Sequence, residues 1–264
     1  MPAPTCEERF TVENLKDQRV IVTGGSSGLG LGLVEALVER QARVVVVARD
    51  AGRLAQVEQR LGVSTVAGDV TDRALAVSLL RDIRPTLLVL NAGATPQMLP
   101  LHEQSWEAFS EIWNSDVKAG LHWMQEAIRL PLARGSRVLV SSSGAAVGGS
   151  PLSGGYAGAK RMLWLMANYA NGVSAQLDLG IRFQVLVPQQ MIGDTGLGRN
   201  AAQAYARHKG ITTEAFLAGF GKPLPPRQFG EYVVTMLTDP AYRDGTVFGF
   251  KGDTGIRSLD GPAA

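Results

Sequence analysis

The sequence predicts an α/β fold, a doubly wound, parallel, seven-stranded sheet with helices on both faces. Three observations lead there. Runs such as RVIVT (19–23) and ARVVVVA (42–48) are β-branched and apolar on both faces, as strands covered by helices on both sides must be. Amphipathic stretches of helical period alternate with such runs about six times along the chain. No linker or shift in composition divides the 264 residues, a length that suits one large α/β domain.

In chain order the predicted strands are 19–23, 42–48, 64–68 (STVAG), 86–91 (TLLVLN), 136–142 (SRVLVSS), 181–187 (IRFQVLV) and 245–250 (GTVFGF). Between them lie helical patterns at 28–40, 52–61, 72–82, 103–132, 156–176, 200–220 and 228–238. Residues 1–14 read as an N-terminal arm. Residues 188–226 mix glycine and proline with a helix after the sixth strand, where an excursion at the strand ends would form a substrate-binding lid.

Bulk properties narrow the function. Twenty-six basic against 24 acidic residues leave a charge of only +2, and the basic residues are scattered, so neither nucleic acid nor an anionic membrane is an expected partner. A small molecule is. The single cysteine, Cys6, has no partner for a disulfide or a metal site, and His102, His122 and His208 show no ligand spacing. The first residues lack the basic and apolar regions of a signal peptide, and no apolar run has membrane-spanning length, so a cytoplasmic protein is expected.

RVIVTGGSSGLGLGL places Thr23, Gly24, Gly28 and Gly30 between the first strand and the first helix. Glycines there permit a tight turn and close backbone approach to a pyrophosphate, which the N–H groups of the helix start would bind. The spacing is one residue wider than the G-x-G-x-x-G dinucleotide fingerprint. At the end of the second strand stands Ala48, followed by Arg49, and an arginine there favours a 2′-phosphate, hence NADP(H) over NAD. Asp50 is the alternative ribose ligand, unless it caps the next helix.

Tyr156 and Lys160 stand four residues apart, which puts them on one helical face. An ammonium beside a phenol favours the phenolate and makes the pair a device for exchanging a proton with a carbonyl or alcohol oxygen. Support comes from Ser143, thirteen residues before Tyr156 at the end of the fifth strand. Its hydroxyl would meet the same oxygen at the carboxyl edge of the sheet; alternatively, Ser141 to Ser143 only terminate the strand.

The glycine loop, LNAG (90–93), the serine run and Tyr156/Lys160, in this order and on these elements, closely resemble the short-chain dehydrogenase/reductase family from about residue 15 onward. The resemblance implies a Rossmann-type domain and an oxidoreductase moving hydride between NADP(H) and a carbonyl or secondary alcohol. It implies Tyr156 as acid/base, Lys160 on the nicotinamide ribose, and Ser143 orienting the substrate oxygen, with Ser142 in its place if the register slips. Gly24, Ser26, Ser27, Gly28, Leu29 and Gly30 would line the pyrophosphate; Asp69 and Val70 would meet the adenine; Asn91, Ala92 and Gly93 would flank the adenosine ribose. Dimers or tetramers, formed through the apolar helix around RMLWLMANYA (161–170), are implied as well. Carbonyl reduction is the expected direction, because NADP pools run reduced. A non-catalytic NADP-binding sensor is the alternative function; a nucleotide-sugar epimerase is disfavoured for want of a second lobe.

Two positions depart from the family pattern. Where it carries a catalytic asparagine, aligning the apolar residues of FSEIWNSDVKAGLHWMQEA brings Asp116 into register, with Asn114 as the alternative. A carboxylate near Lys160 would hold the ammonium and partly cancel its effect on Tyr156. After the sixth strand the usual proline-glycine is PQQ: Pro188 matches, Gln189 does not, and Thr195 lies seven residues past the proline rather than five or six, as a candidate contact to the cofactor carboxamide. Gln189 and Gln190 either line the pocket or face water.

Overall fold

The computed structural model describes residues 14–260; Cys6 and most of the N-terminal arm lie outside them. Seven parallel strands form the sheet: β1 (Arg19–Thr23), β2 (Arg43–Ala48), β3 (Ser64–Ala67), β4 (Leu87–Leu90), β5 (Arg137–Ser141), β6 (Arg182–Pro188) and β7 (Val247–Lys251). An eighth, β8 (Gly255–Ser258), returns antiparallel on β7. It is a correction to the seven expected, since GIRS is too short and too polar to read as a strand. The order is β3-β2-β1-β4-β5-β6-β7-β8.

Alternate side chains of each strand feed opposite cores. Val20, Val22, Leu87, Val89 and Leu139 enter one, together with Leu33, Leu37, Phe229 and Val233. Ile21, Leu88, Leu90, Val138 and Val140 enter the other, with Trp123, Leu163 and Ala167. The helices of the first core are α1 (Gly28–Glu39) and α10 (Pro226–Thr238); those of the second include α3 (Arg73–Ile83), α5 (Lys118–Arg129) and α7 (Tyr156–Gln176). α2 (Ala51–Leu61) covers β2 and β3. Where α1 and α10 cross, glycine is required: a Cβ on Gly32 would lie 2.0 Å from the Pro226 carbonyl oxygen, and one on Gly230 2.2 Å from that of Gly32.

Three helical expectations change in detail. The pattern at 103–132 is one helix from 106 to 129 that carries a π turn (Trp113–Val117) between α4 (Trp106–Ile112) and α5. The 200–220 pattern starts earlier and breaks at Gly210, left-handed at φ 66°, into α8 (Gly196–Lys209) and α9 (Thr213–Ala218). A four-residue helix, α6 (Ala145–Gly148), was invisible in the glycine-rich run after β5. Among the described residues no helix is long and apolar enough to cross a membrane.

β1 pairs with both β2 and β4, so the chain reverses its winding there. In such sheets this reversal opens a crevice at the carboxyl ends of the strands. Thr23, Asn91, Ser141 and Pro188 all stand at those ends.

Candidate active site

The crevice is organised first by Thr23. Its hydroxyl donates to the Val89 carbonyl (3.2 Å) and accepts the N–H groups of Asn91 (3.0 Å) and Ala92 (3.2 Å), binding the end of β1 to the turn after β4. Gly24 follows at φ 68°, and a Cβ there would sit 2.7 Å from the Ala92 Cα. A Cβ on Gly30 would meet the Gly24 oxygen at 2.3 Å and the Asn91 amide nitrogen at 2.4 Å; that amide donates to the Gly24 oxygen. Ser26 is half-buried and Ser27 exposed, while Leu29 packs on the core beside α1. Ser27 caps α1 by position but makes no side-chain cap bond, whereas Asp50 and Asp72 do cap α2 and α3. The loop is therefore a concave backbone surface at a helix start with uncommitted N–H groups, which fits a pyrophosphate.

Around it, Arg49 is exposed just beyond β2. Asp50 accepts the Arg53 N–H at 3.0 Å, the capping role the sequence left open. Asp69 accepts the Thr71 N–H at 2.9 Å, a bond that holds its carboxyl below the usual aspartate range. Val70 offers its carbonyl to the Trp123 indole at 3.0 Å.

The three serines part company. Ser141 donates to the Asn91 side chain (3.2 Å), and Ser142 donates to the Lys160 carbonyl (2.8 Å). Ser143 uses only its acceptor side, to the Ala145 N–H at 3.2 Å. Its hydroxyl hydrogen is thus the one in the run with no acceptor among the described residues, which distinguishes Ser143 from Ser142.

Tyr156 opens α7 and is buried with Ile112 and Ala159, against Ala94, Ala145 and Leu197. One turn on, Lys160 Nζ lies 5.7 Å from the Tyr156 ring centre and 3.5 Å from the Ser141 carbonyl oxygen. It pairs with Asp116 Oδ2 at 2.9 Å, and the carboxylate side chain is wholly buried. The other carboxylate oxygen accepts the Ala94 N–H (2.8 Å) and the Ser115 hydroxyl (2.9 Å). Burial alone would lower the Lys160 pKa, but the Asp116 carboxylate, with a contribution from the Tyr156 phenol, outweighs it and raises the value above that of an ordinary lysine. Gly93 makes room for the pair, since a Cβ there would approach Asp116 Oδ2 to 2.7 Å. Asn114 is exposed and faces Ser110 instead.

After β6, both glutamine side chains are held by hydrogen bonds. Gln189 Oε1 accepts from Arg257 (2.9 Å), and Gln190 bridges the Gly252 N–H (2.7 Å) and the Lys222 carbonyl (2.9 Å), so both fasten the 188–226 segment to the β7–β8 edge. Pro188 ends β6 and takes the Gly144 N–H on its carbonyl at 2.8 Å. Thr195 spends its hydroxyl capping α8, accepting from Gly198 at 3.0 Å, and turns its methyl toward Gly28. Of the apolar residues in this segment, Leu197 reaches Tyr156; Met191, Phe216 and Phe220 pack among themselves, and Ile192 joins the main core. His122 Nδ1 lies 2.9 Å from the Thr71 carbonyl, and His102 and His208 are exposed. Among the described residues no group of three or more His, Cys, Asp or Glu is placed to hold a metal.

The chain belongs to the short chain dehydrogenase family, whose model matches residues 18–206. It is 30% identical over 203 residues to the uncharacterized oxidoreductase YghA of Escherichia coli, covering 71% of this chain and 67% of that one. It is 34% identical over 162 residues to the cis-2,3-dihydrobiphenyl-2,3-diol dehydrogenase of Metapseudomonas furukawaii, covering 56% and 58% respectively. The chain thus spans between about half and two thirds of the curated relatives it matches. Among solved structures, the Pseudomonas aeruginosa RhlG/NADP active-site complex superposes with a TM-score of 0.75 over 92% of this chain and 98% of that one, at 20% identity, a likeness of fold. The family is one of oxidoreductases that use a nicotinamide cofactor.

Proposed function

We propose that this chain is an NADP(H)-dependent reductase of a carbonyl compound, reversible to the secondary alcohol, with Tyr156 as its acid/base. The observation that carries the reading is the buried Tyr156–Lys160 pair on one face of α7, at the carboxyl edge of the sheet and on the same edge as the glycine cradle. The uncapped start of α1 and the loop Gly24 to Gly30 suit the pyrophosphate, Arg49 the 2′-phosphate, Asp69 and Val70 the adenine, and Asn91 to Gly93 the adenosine ribose. Pro188 and Thr195 approach from the 188–226 segment, the proposed substrate lid. When bound, the nicotinamide would supply or accept the hydride.

The protein's own part is proton chemistry and orientation. The Ser143 hydroxyl donates to the substrate oxygen and fixes its direction. Tyr156 donates its phenolic proton to that oxygen during reduction and takes it back during oxidation. Lys160, kept charged by Asp116, stabilises the phenolate left behind and retains donors for a ribose. The pair sits where water is largely excluded, so the ammonium acts on the phenol with little screening.

The experiment is a titration with NADPH and NADH followed by a carbonyl panel. Tighter binding of NADPH, its oxidation by at least one carbonyl, and a loss of about a hundredfold or more in kcat for Tyr156→Phe are expected. Tight binding with no turnover on any carbonyl, unaltered by that substitution, would instead identify a sensor. We also propose a homo-dimer or homo-tetramer, because Leu121 on α5 and Tyr169, Val173 and Leu177 along α7 form an exposed apolar stripe.

A further inference from the structure

We propose that Tyr205 is a positioning residue for Tyr156: through its hydroxyl, α8 holds in place the turn from which the acid/base projects. This rests on the reading of Tyr156 given above. The turn runs from Gly149 (φ 80°) to Gly155, with Gly154 also left-handed at φ 56°. Pro151 stiffens the middle of this turn, while the two glycines leave its ends free to pivot, so where the stretch sits depends on the bonds made to it. Its geometry passes along a short chain of bonds: the Ser150 carbonyl accepts the Ser153 N–H and hydroxyl, both at 3.1 Å, and the Ser153 carbonyl accepts the Tyr156 N–H at 3.1 Å. Ser150 and Leu152 therefore set where Tyr156 begins.

Those two residues are held from opposite sides. The Leu152 carbonyl accepts the Leu99 N–H at 2.8 Å, from the loop after β4. The Leu152 N–H donates to the Tyr205 hydroxyl at 3.3 Å, and the same hydroxyl is 2.8 Å from the Ser150 hydroxyl. Tyr205 is itself anchored, its ring stacked on Phe216 with centroids 5.6 Å apart, and Phe216 is met edge-on by Phe220 at 5.4 Å. At its other end α8 presents Leu197 to the Tyr156 cluster and the Thr195 methyl to Gly28. One helix thus touches the cofactor loop, the acid/base and the turn before it. With one N–H and one hydroxyl as partners, the Tyr205 oxygen is occupied by the fold, which assigns it to positioning rather than to proton transfer.

The test compares wild type, Tyr205→Phe, Ser150→Ala, the double variant and Ser150→Thr, using amide hydrogen exchange over 149–156 and steady-state reduction of a carbonyl by NADPH. Tyr205→Phe keeps the ring and its stack, so circular dichroism should be unchanged. Faster exchange in 149–156, a fall in kcat of about fivefold or more, and KM for NADPH within about twofold are expected. Ser150→Ala should act in the same direction, the double variant should lose little more than either single one, and Ser150→Thr should restore kcat. Unchanged exchange in Tyr205→Phe would overturn the tether, and faster exchange with unchanged kcat would overturn its role in positioning. If wild type turns over no carbonyl, the reductase reading fails, while unchanged or faster exchange still rejects or sustains the tether.

Discussion

Asp116 is the single residue on which the proposed proton chemistry of Lys160 and Tyr156 turns. A wholly buried carboxylate 2.9 Å from Lys160 counters the burial that would otherwise strip the lysine of its proton. In Asp116→Asn the carboxylate's share of that upward influence is gone and only Tyr156 is left to oppose burial. Lys160 should then lose its proton at lower pH, and the alkaline limb of the pH–rate profile for reduction should move to lower pH. The linked stability has the same sign. A lysine whose folded-state pKa is raised stabilises the fold below its unfolded value, and that contribution fades as pH rises through the folded-state value; the variant should lack it. A pH–rate profile identical to wild type would remove Asp116 from the proton machinery. Asparagine can still accept the Ala94 N–H, so the test perturbs charge more than shape.

At the scale of elements, two irregularities place the site. The π turn at Trp113–Val117 inserts one residue into the helical register, and with it Asp116 turns inward while Asn114 faces out. The contact between α1 and α10 is the second, because it sets the depth of α1 and hence of the glycine cradle at its start. Gly230→Ala would drive a methyl against the Gly32 carbonyl oxygen, backbone that cannot yield as a side chain would. A loss of about 1–3 kcal/mol is expected, read as a fall of roughly 2–10 °C in Tm by calorimetry. A Tm within one degree of wild type would mean that the two helices slide apart at little cost.

For the whole molecule, the exposed stripe on α5 and α7 is the proposed face between copies of the chain. Tyr169 is 60% exposed and Leu177 56%, with Val173 exposed one turn from each. Val173→Asp places a charge in the middle of that stripe without entering either core. The variant should sediment as a monomer at concentrations where wild type sediments as a dimer or tetramer, with unchanged circular dichroism; identical sedimentation of both would rule out this face as the interface.

Strands were legible wherever burial on both sides demanded unbroken apolar runs, and the seven parallel strands fall within one or two residues of the pattern in the sequence. β8 and α6 were not, being four residues each and rich in glycine or polar groups. At the site, the glycine loop and the Tyr156/Lys160 spacing could be read locally, since they depend on backbone freedom and on one helical turn. By itself the sequence determined the α/β class, the crevice at the strand ends and the family. The tertiary structure alone decided that Ser142 serves the fold while Ser143 keeps a free hydroxyl hydrogen, that Gln189 and Gln190 fasten an edge, and that Tyr205 reaches Ser150 from 55 residues away. Side-chain partners so distant in the chain leave no period in the sequence; they exist only once both cores have closed and fixed the distances between elements.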